Sequence, residues 1–280
     1  MFCICRILGN DMIPWHEEGA TVRDLKIILE KEPNVCKKMF VVNRMIDPKQ
    51  KSEVVGLLRD HGYEPVIIPF VVEDWLRCWT FKRKVLYATN INMARNLALR
   101  LASEHPFVII LDSRNMFVQQ GWDVLEDTAM HNSKINYFLI GQWFMSDLNF
   151  GGKVCLKREV CGMIRSNPWM LMFGRRAREV FDERLGYLDK CNEELLGRIG
   201  VHGYWSKRRR ILKKCSAGWV CRLPAGGGRD KEIGDKKIKE ESVKHLIERV
   251  DKIWGKCYDT KCPILDDIQV GDLLIKSGGG

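Results

Sequence analysis

The chain has 280 residues, 45% of them hydrophobic, and carries 46 lysines and arginines against 36 aspartates and glutamates, a formal net charge of +10. That length buries a substantial core without disulfide or metal staples, and the balance excludes global disorder and collagen-like repeats. No apolar run reaches the ~20 residues of a membrane span, and Met1-Phe2-Cys3-Ile4-Cys5-Arg6 lacks the parts of a signal peptide, so a cytoplasmic protein without a membrane span is expected.

Residues 2–8 are a continuous apolar run stopped by Gly9-Asn10-Asp11, which reads as a buried strand feeding a polar loop. Val22, Leu25, Ile28 and Leu29 then recur at helical spacing behind Thr21, an expected N-cap, and Pro33 closes the helix. Met39–Val42 is a second strand ending in Asn43-Arg44. A helix over Glu53–His61 follows, with Gly62 as its C-cap, and Val66–Phe70 is a third strand. Asn90–Ser103 reads as a helix, Phe107–Leu111 as a strand delivering Asp112, Gly121–His131 as a helix and Tyr137–Gly141 as a further strand.

Apolar strands alternating with amphipathic helices indicate an α/β fold, a mostly parallel sheet covered by helices on both faces. Ligands of such sheets collect at the carboxyl ends of the strands, where Asn10-Asp11, Asn43-Arg44 and Asp112 all fall. Past residue 205 the pattern weakens, so residues 1–205 read as the core and 206–280 as a basic, helical or irregular C-terminal extension packing on or covering it, with a helix near Glu241–Trp254.

The eleven cysteines repeat at no fixed spacing and read as reduced, mostly buried thiols. Cys257-x4-Cys262 lacks the second pair a zinc site needs. The run Lys207–Lys214 places six basic residues in eight positions, so a nucleic-acid-binding protein is the alternative functional reading, although aromatic interleaving on a strand is absent.

The chemistry concentrates in two stretches. Leu111-Asp112-Ser113-Arg114-Asn115 ends a hydrophobic strand in a single carboxylate. A transferase acting on nucleotide sugars needs a group here to handle the diphosphate, commonly an Asp-x-Asp turn holding a divalent ion. Arg114 stands where the second carboxylate would, and its guanidinium could neutralise the diphosphate directly; alternatively Asp112 only caps a loop. In Asn90-Ile91-Asn92-Met93-Ala94-Arg95-Asn96, amide side chains and a guanidinium sit at a helix start, where free N–H groups attract phosphate; Asn90 is alternatively an N-cap only.

Arg6-Ile7-Leu8-Gly9-Asn10-Asp11, Val42-Asn43-Arg44-Met45-Ile46-Asp47, Asn90–Asn96 and Leu111–Phe117, in that order over residues 1–143, resemble a family of GT-A type glycosyltransferases found in bacteria and in large DNA viruses of algae. Weaker similarity continues through Glu194–Gly200. The resemblance implies a Rossmann-like fold in which Arg6, Gly9, Asn10, Asp11 and Arg44 surround the nucleotide of a UDP-sugar. It implies that Asn90, Asn92, Arg95 and Asn96 line the donor pocket, with Asp112, Ser113 and Arg114 in the metal-binding turn. A divalent cation, manganese or magnesium, would be held by Asp112 and His202. The family pattern tends to carry a second Asp or Asn at position 114, so the arginine leaves metal dependence open. Among viral members the implied role is building the glycan of the capsid glycoprotein, with UDP-xylose or UDP-glucose as donor. If the reaction inverts, a carboxylate must take the acceptor proton, and Glu194 is the first candidate, Asp147 the second.

Overall fold

The computed structural model describes residues 1–78, 80–144, 170–189, 191–199, 216–224 and 236–254. Strands β1 (Phe2–Leu8), β2 (Lys37–Asn43), β3 (Val66–Ile68) and β4 (Phe107–Asp112) alternate with helices α1 (Ala20–Lys31), α2 (Pro48–Asp60), α3 (Val72–Leu76), α4 (Phe81–Thr89) and α5 (Ile91–Leu101). The short β5 (Asn115–Phe117), α6 (Gln119–His131), β6 (Tyr137–Phe144), β7 (Met170–Gly174), α7 (Cys191–Arg198), β8 (Ser216–Arg222) and α8 (Lys236–Trp254) follow.

One eight-stranded sheet results, ordered β3-β2-β1-β4-β7-β6-β8-β5. β3, β2, β1 and β4 are parallel, β7 runs against both β4 and β6, and β8 is parallel to β6. Two reversals restore the direction, so β1, β2, β4, β6 and β8 all end at one edge. That edge therefore collects the residues after Leu8, Asn43, Asp112 and Arg222.

Strand alternation sorts β1 between two cores. Cys3, Cys5 and Ile7 pack with Ala94, Ala98, Leu195 and Leu196 of α5 and α7. Phe2 and Ile4 face the other way, against Phe117, Trp122 and Leu125. Small side chains let the helices approach closely, most of all where Gly121 of α6 meets β8. A Cβ on Gly121 would lie 2.3 Å from the Trp219 carbonyl oxygen, and one on Gly218 would lie 2.2 Å from that of Gly121. Gly218 also has φ +62°, which a side chain resists.

The sequence places most elements, with informative exceptions. α1 begins one residue before the expected cap: Gly19 takes that position and Thr21 lies inside the helix. α2 starts at Pro48, capped by Asp47, five residues earlier than periodicity suggests, because its first turn is polar. α3, α4, β5, β7 and β8 carry too little periodicity to be seen. β8 lies past the expected boundary at 205/206 and inside the sheet, between β6 and β5. α8 buries Val243, Leu246, Ile247 and Val250 against Met12, Ile46, Trp75 and Val85. Lys84 to Asp251 at 2.6 Å and Arg249 to Asp47 at 2.9 Å tie its far end down.

Cys3, Cys5 and Cys221 are buried, Cys36 and Cys78 partly exposed, and all five are free thiols. No helix among the described residues is long and apolar enough to cross a membrane.

Candidate functional site

The loop after β1 is built around Asp11. Its carboxylate accepts hydrogen bonds from the Gly19 and Thr21 N–H groups at 2.8 and 2.9 Å, from Thr21 Oγ1 at 2.6 Å and from Gln50 Nε2 at 2.9 Å. Both oxygens are occupied, so Asp11 closes the start of α1. Asn10 joins this loop to the next strand end, donating to the Arg44 carbonyl and accepting from the Ile46 N–H, each at 2.9 Å. Gly9 has no atom within 4 Å of where a Cβ would stand, so its backbone is open to approach.

Arg44 is held at φ 46°, a conformation non-glycine residues avoid. Its guanidinium lies 4.1 Å from the centre of the Tyr87 ring and donates to the Tyr87 carbonyl at 2.6 Å. It therefore packs toward α4, with Nη2 also against the Met93 sulfur. Asn43 donates to the Asn90 carbonyl, and Asn90 caps α5 by accepting from the Met93 N–H at 3.0 Å. That cap engages the helix start expected to attract phosphate.

Arg6 is corrected outright. Its side chain is fully buried, with Glu32 oxygens at 2.7 and 3.2 Å and the Asn115 carbonyl at 2.8 Å. Glu32 also accepts from the Phe117 N–H at 3.0 Å. Burial would raise the Glu32 carboxyl, but the Arg6 charge and hydrogen bonds hold it below the usual range. No ligand reaches this pair. Asn96 is a second correction: its amide donates to the Phe181 carbonyl and Glu183 and accepts from the Phe181 N–H, fastening the 181–183 segment to α5.

Arg95 and Asp112 do meet at the edge. Arg95 Nη2 donates to Asp112 Oδ1 at 2.6 Å, while Nη1 donates to Asn192 at 2.7 Å and Asn92 at 3.2 Å. Asn92 is in turn fixed by the Asp182 carbonyl at 2.7 Å. The guanidinium lies over Phe181, 4.9 Å from its ring centre, and is almost fully buried, whereas 30% of the Asp112 side chain is open. Burial would raise the Asp112 carboxyl; Arg95, helped by Arg222, overcomes this and keeps it low and charged. A cavity of about 10 Å³ lined by Arg95, Ile110 and Asn192 sits behind the pair, too small for more than a water.

Three side chains that the sequence reading passed over complete this mouth. Arg222 ends β8 and adds its charge to Asp112, to Tyr187 and to His16. Tyr187 has its phenol raised by burial, with Arg222, Asp112 and Arg114 as its charged neighbours. His16 is pushed down to about 3 by burial and by the field of Arg114, Arg222 and Arg23, so the ring is neutral. Its Nδ1 accepts from the Met12 N–H at 3.3 Å, which places the proton on Nε2. His16 had one visible signal, a titratable group in the loop after the first strand. A lone arginine in an unpredicted strand had none.

Arg114 does not stand open beside Asp112 as a replacement carboxylate position would. It is 4% exposed, donates to the Leu223 carbonyl at 2.5 Å and pairs with Asp24 at 3.4 Å. Ser113 is partly exposed in the same turn. Glu194, the first candidate for the base, has both oxygens engaged by Arg198, in a cluster with Glu179 and the Val180 carbonyl. Asp147, His202, the basic run 207–214 and the Cys257/Cys262 pair lie outside the described residues.

A divalent ion does not fit the described donor set. Asp112 offers one carboxylate already bonded to Arg95 and flanked by Arg222, and no group of three His, Cys, Asp or Glu side chains that could hold a metal occurs among the described residues. Comparison of the chain with protein-family models and with curated proteins gives no significant match.

Proposed function

We propose that the chain is a glycosyltransferase of the GT-A kind, moving a sugar from a nucleotide-diphospho-sugar, a UDP-sugar first of all, to a hydroxyl of a glycan or glycoprotein. The observation that carries this reading is the half-open Asp112 at the carboxyl edge of a largely parallel sheet, backed by Arg95 and faced by Arg222 and Tyr187. Such an edge suits a ligand with both a polyanionic part and hydroxyls. Guanidiniums stabilise the charge that develops on a departing nucleoside diphosphate, and a fixed carboxylate accepts hydrogen bonds from sugar hydroxyls.

In this scheme Arg95 is a positioning residue. Held by Asn92 and Asn192, it fixes which way Asp112 points and keeps it ionised. The open backbone at Gly9 gives the nucleotide room beside the β1 loop. The acceptor proton needs another carboxylate, and Asp147, three residues past the end of β6, is the one we propose, because Glu194 is tied to Arg198. UDP-xylose and UDP-glucose lead the donor list.

The test is nucleotide release from a panel of UDP- and GDP-sugars by the purified chain, each with manganese and with EDTA. Release from one donor is the expected result and names the sugar. If no donor is hydrolysed and none raises the melting temperature, the transferase reading is overturned.

A further inference from the structure

The amino edge of the sheet, opposite Asp112, carries charge of a different kind. β7 runs down to it, with Gly174 paired to Phe107 and Phe173 to Tyr137, the first residues of β4 and β6. The turn that follows reads Arg175-Arg176-Ala177-Arg178. Its backbone is fixed: the Ala177 N–H donates to the Gly174 carbonyl at 2.8 Å, and the Arg178 and Glu179 N–H groups donate to the Tyr137 hydroxyl at 3.0 and 2.7 Å. Gly174 meets the turn after α6, donating its N–H to the Asn136 carbonyl at 2.7 Å, and a Cβ on it would lie 2.7 Å from the Ile135 carbonyl oxygen. Lys134 therefore stands beside the arginines.

Arg175, Arg176, Arg178 and Lys134 are all exposed, and none of these four side chains has a hydrogen bond or an ion pair. Other surface arginines differ: Arg59 bonds Glu64, Arg184 bonds Asp182, and Arg198 bonds Glu194 and Glu179. The carboxylates nearest these turns along the chain are already taken. Glu104 lies 3.3 Å from both Lys37 and His105, Glu179 is held by Arg198, and Asp127 lies 3.2 Å from His131. A merely solvated surface intersperses charges of both signs. Here four cations are kept together on short, rigid turns, where they repel one another. A polyanion laid against them offsets that repulsion.

The patch lacks a stacking surface. Tyr137, against which the turn closes, packs edge-on to Phe173 with ring centres 5.8 Å apart, and its hydroxyl is spent on the turn. An unpaired nucleic-acid base finds no platform there. The exposed apolar side chains at this edge are aliphatic: Leu101 ends α5 and Met130 lies in the last turn of α6, and they are 46 and 50% exposed. Both helices run into this edge, since each leads to a strand, β4 or β6, that starts there. Cations set between aliphatic side chains suit an anionic bilayer interface, where guanidiniums meet lipid phosphates and the apolar groups reach the headgroup boundary.

We propose that the amino edge, through Arg175, Arg176, Arg178 and Lys134 with Leu101 and Met130 beside them, docks the protein on an anionic lipid surface. The six residues of β4 separate this edge from Asp112 by about 20 Å. Docking therefore leaves the Asp112 mouth turned away from the bilayer. The surface uses no residue of the transferase reading and does not rest on it.

Co-sedimentation of the full chain with phosphatidylcholine vesicles containing one-third phosphatidylserine, against vesicles of phosphatidylcholine alone, tests this. The wild type should bind the anionic vesicles and not the neutral ones, and less as salt is raised. Arg175→Gln with Arg176→Gln should weaken binding about 25-fold, at about fivefold for each charge. Arg178→Gln with Lys134→Gln should lose as much and serves if the first pair does not fold. Lys49→Gln with Lys82→Gln, which removes two exposed lysines from α2 and α4, should change binding by less than about threefold. Leu101→Ser with Met130→Ser should weaken it a few-fold. Absence of binding to anionic vesicles, equal weakening by the arginine and the Lys49/Lys82 pairs, or unchanged binding in the Leu101/Met130 pair overturns the docking surface. So does an oligonucleotide that binds more tightly than the vesicles and is lost with Arg175 and Arg176, which assigns the patch to nucleic acid. Docking with no sugar nucleotide hydrolysed leaves the surface standing and removes the transferase, and hydrolysis without docking does the reverse.

Discussion

Arg6–Glu32 and Arg95–Asp112 are the same chemical pair in two settings. Each joins a buried guanidinium to a carboxylate held below its usual range, with the shortest contact at 2.7 Å in one and 2.6 Å in the other. Glu32 is fully enclosed and saturated by Arg6, Lys38 and the Phe117 N–H. Asp112 keeps 30% of its side chain open and feels one further arginine, Arg222. The difference is position along the strand. Arg6 lies two residues short of the end of β1, beneath the chain that leaves α1, whereas Asp112 is the last residue of β4. A saturated pair inside the sheet holds the fold, and an unsaturated one at its carboxyl edge is available to a ligand.

That contrast predicts its largest effect in the interior. Glu32→Ala should cost about 3–5 kcal/mol, because it strands a buried guanidinium. Denaturant unfolding measures this, and a loss under about 1 kcal/mol would remove the structural role assigned to the pair. At the edge, Asp112→Asn should preserve the fold at a cost of about 1–2 kcal/mol while lowering nucleotide-sugar turnover by about a hundredfold. Turnover unchanged in a folded Asp112→Asn would mean that openness at the edge does not mark function.

The pH dependence sharpens the same comparison. His16 has a folded value near 3 against an ordinary 6.5, so the unfolded chain binds its proton first and stability falls as pH drops from about 6.5 toward 3. Glu32 and Asp112 are likewise held low; their contributions are present above about 4.5 and 3.8 and disappear as pH falls through the folded values. Between about pH 6.5 and 4.5 the loss therefore belongs to His16, about 2 kcal/mol, set against a gain from Asp24, whose carboxyl burial pushes up, and His16→Gln should remove the falling contribution. Melting temperatures across this range check it, and an unchanged slope would contradict the partly buried, neutral histidine. The smallest effect is expected at Glu194, whose partner Arg198 is partly exposed: Glu194→Gln should alter stability by less than about 0.5 kcal/mol and turnover by less than about threefold. A hundredfold loss would return the base to Glu194.

Much of the frame was legible in the chain. Strands β1, β2, β4 and β6 announce themselves by unbroken apolar runs, since a strand buried on both faces needs nothing else, and α5 by its 3.6-residue pattern. Asp112 and Arg95 are conspicuous because polar residues directly after a buried strand or at a helix start stand out locally. Arg6, Asn96 and Glu194 stand out in the same way, but the structure answers each with a partner: Glu32 and the 181–183 backbone, far off in sequence, and Arg198, one helical turn away. A local window shows an unusual polar group and is blind to what satisfies it.

The sequence by itself determined the alternation of strands and helices, the direction of the first strands and hence which loops share an edge, because hydrophobic periodicity and turn residues act over a few neighbours. Only the tertiary structure decided which of the charged residues there are satisfied and which remain open. β8 joins the sheet through backbone hydrogen bonds to β6 and β5, a pairing no local pattern encodes, and it alone brings Arg222 beside Asp112, Tyr187 and His16. Electrostatic environment is a sum over charges close in space, so it exists only once distant segments have been folded together.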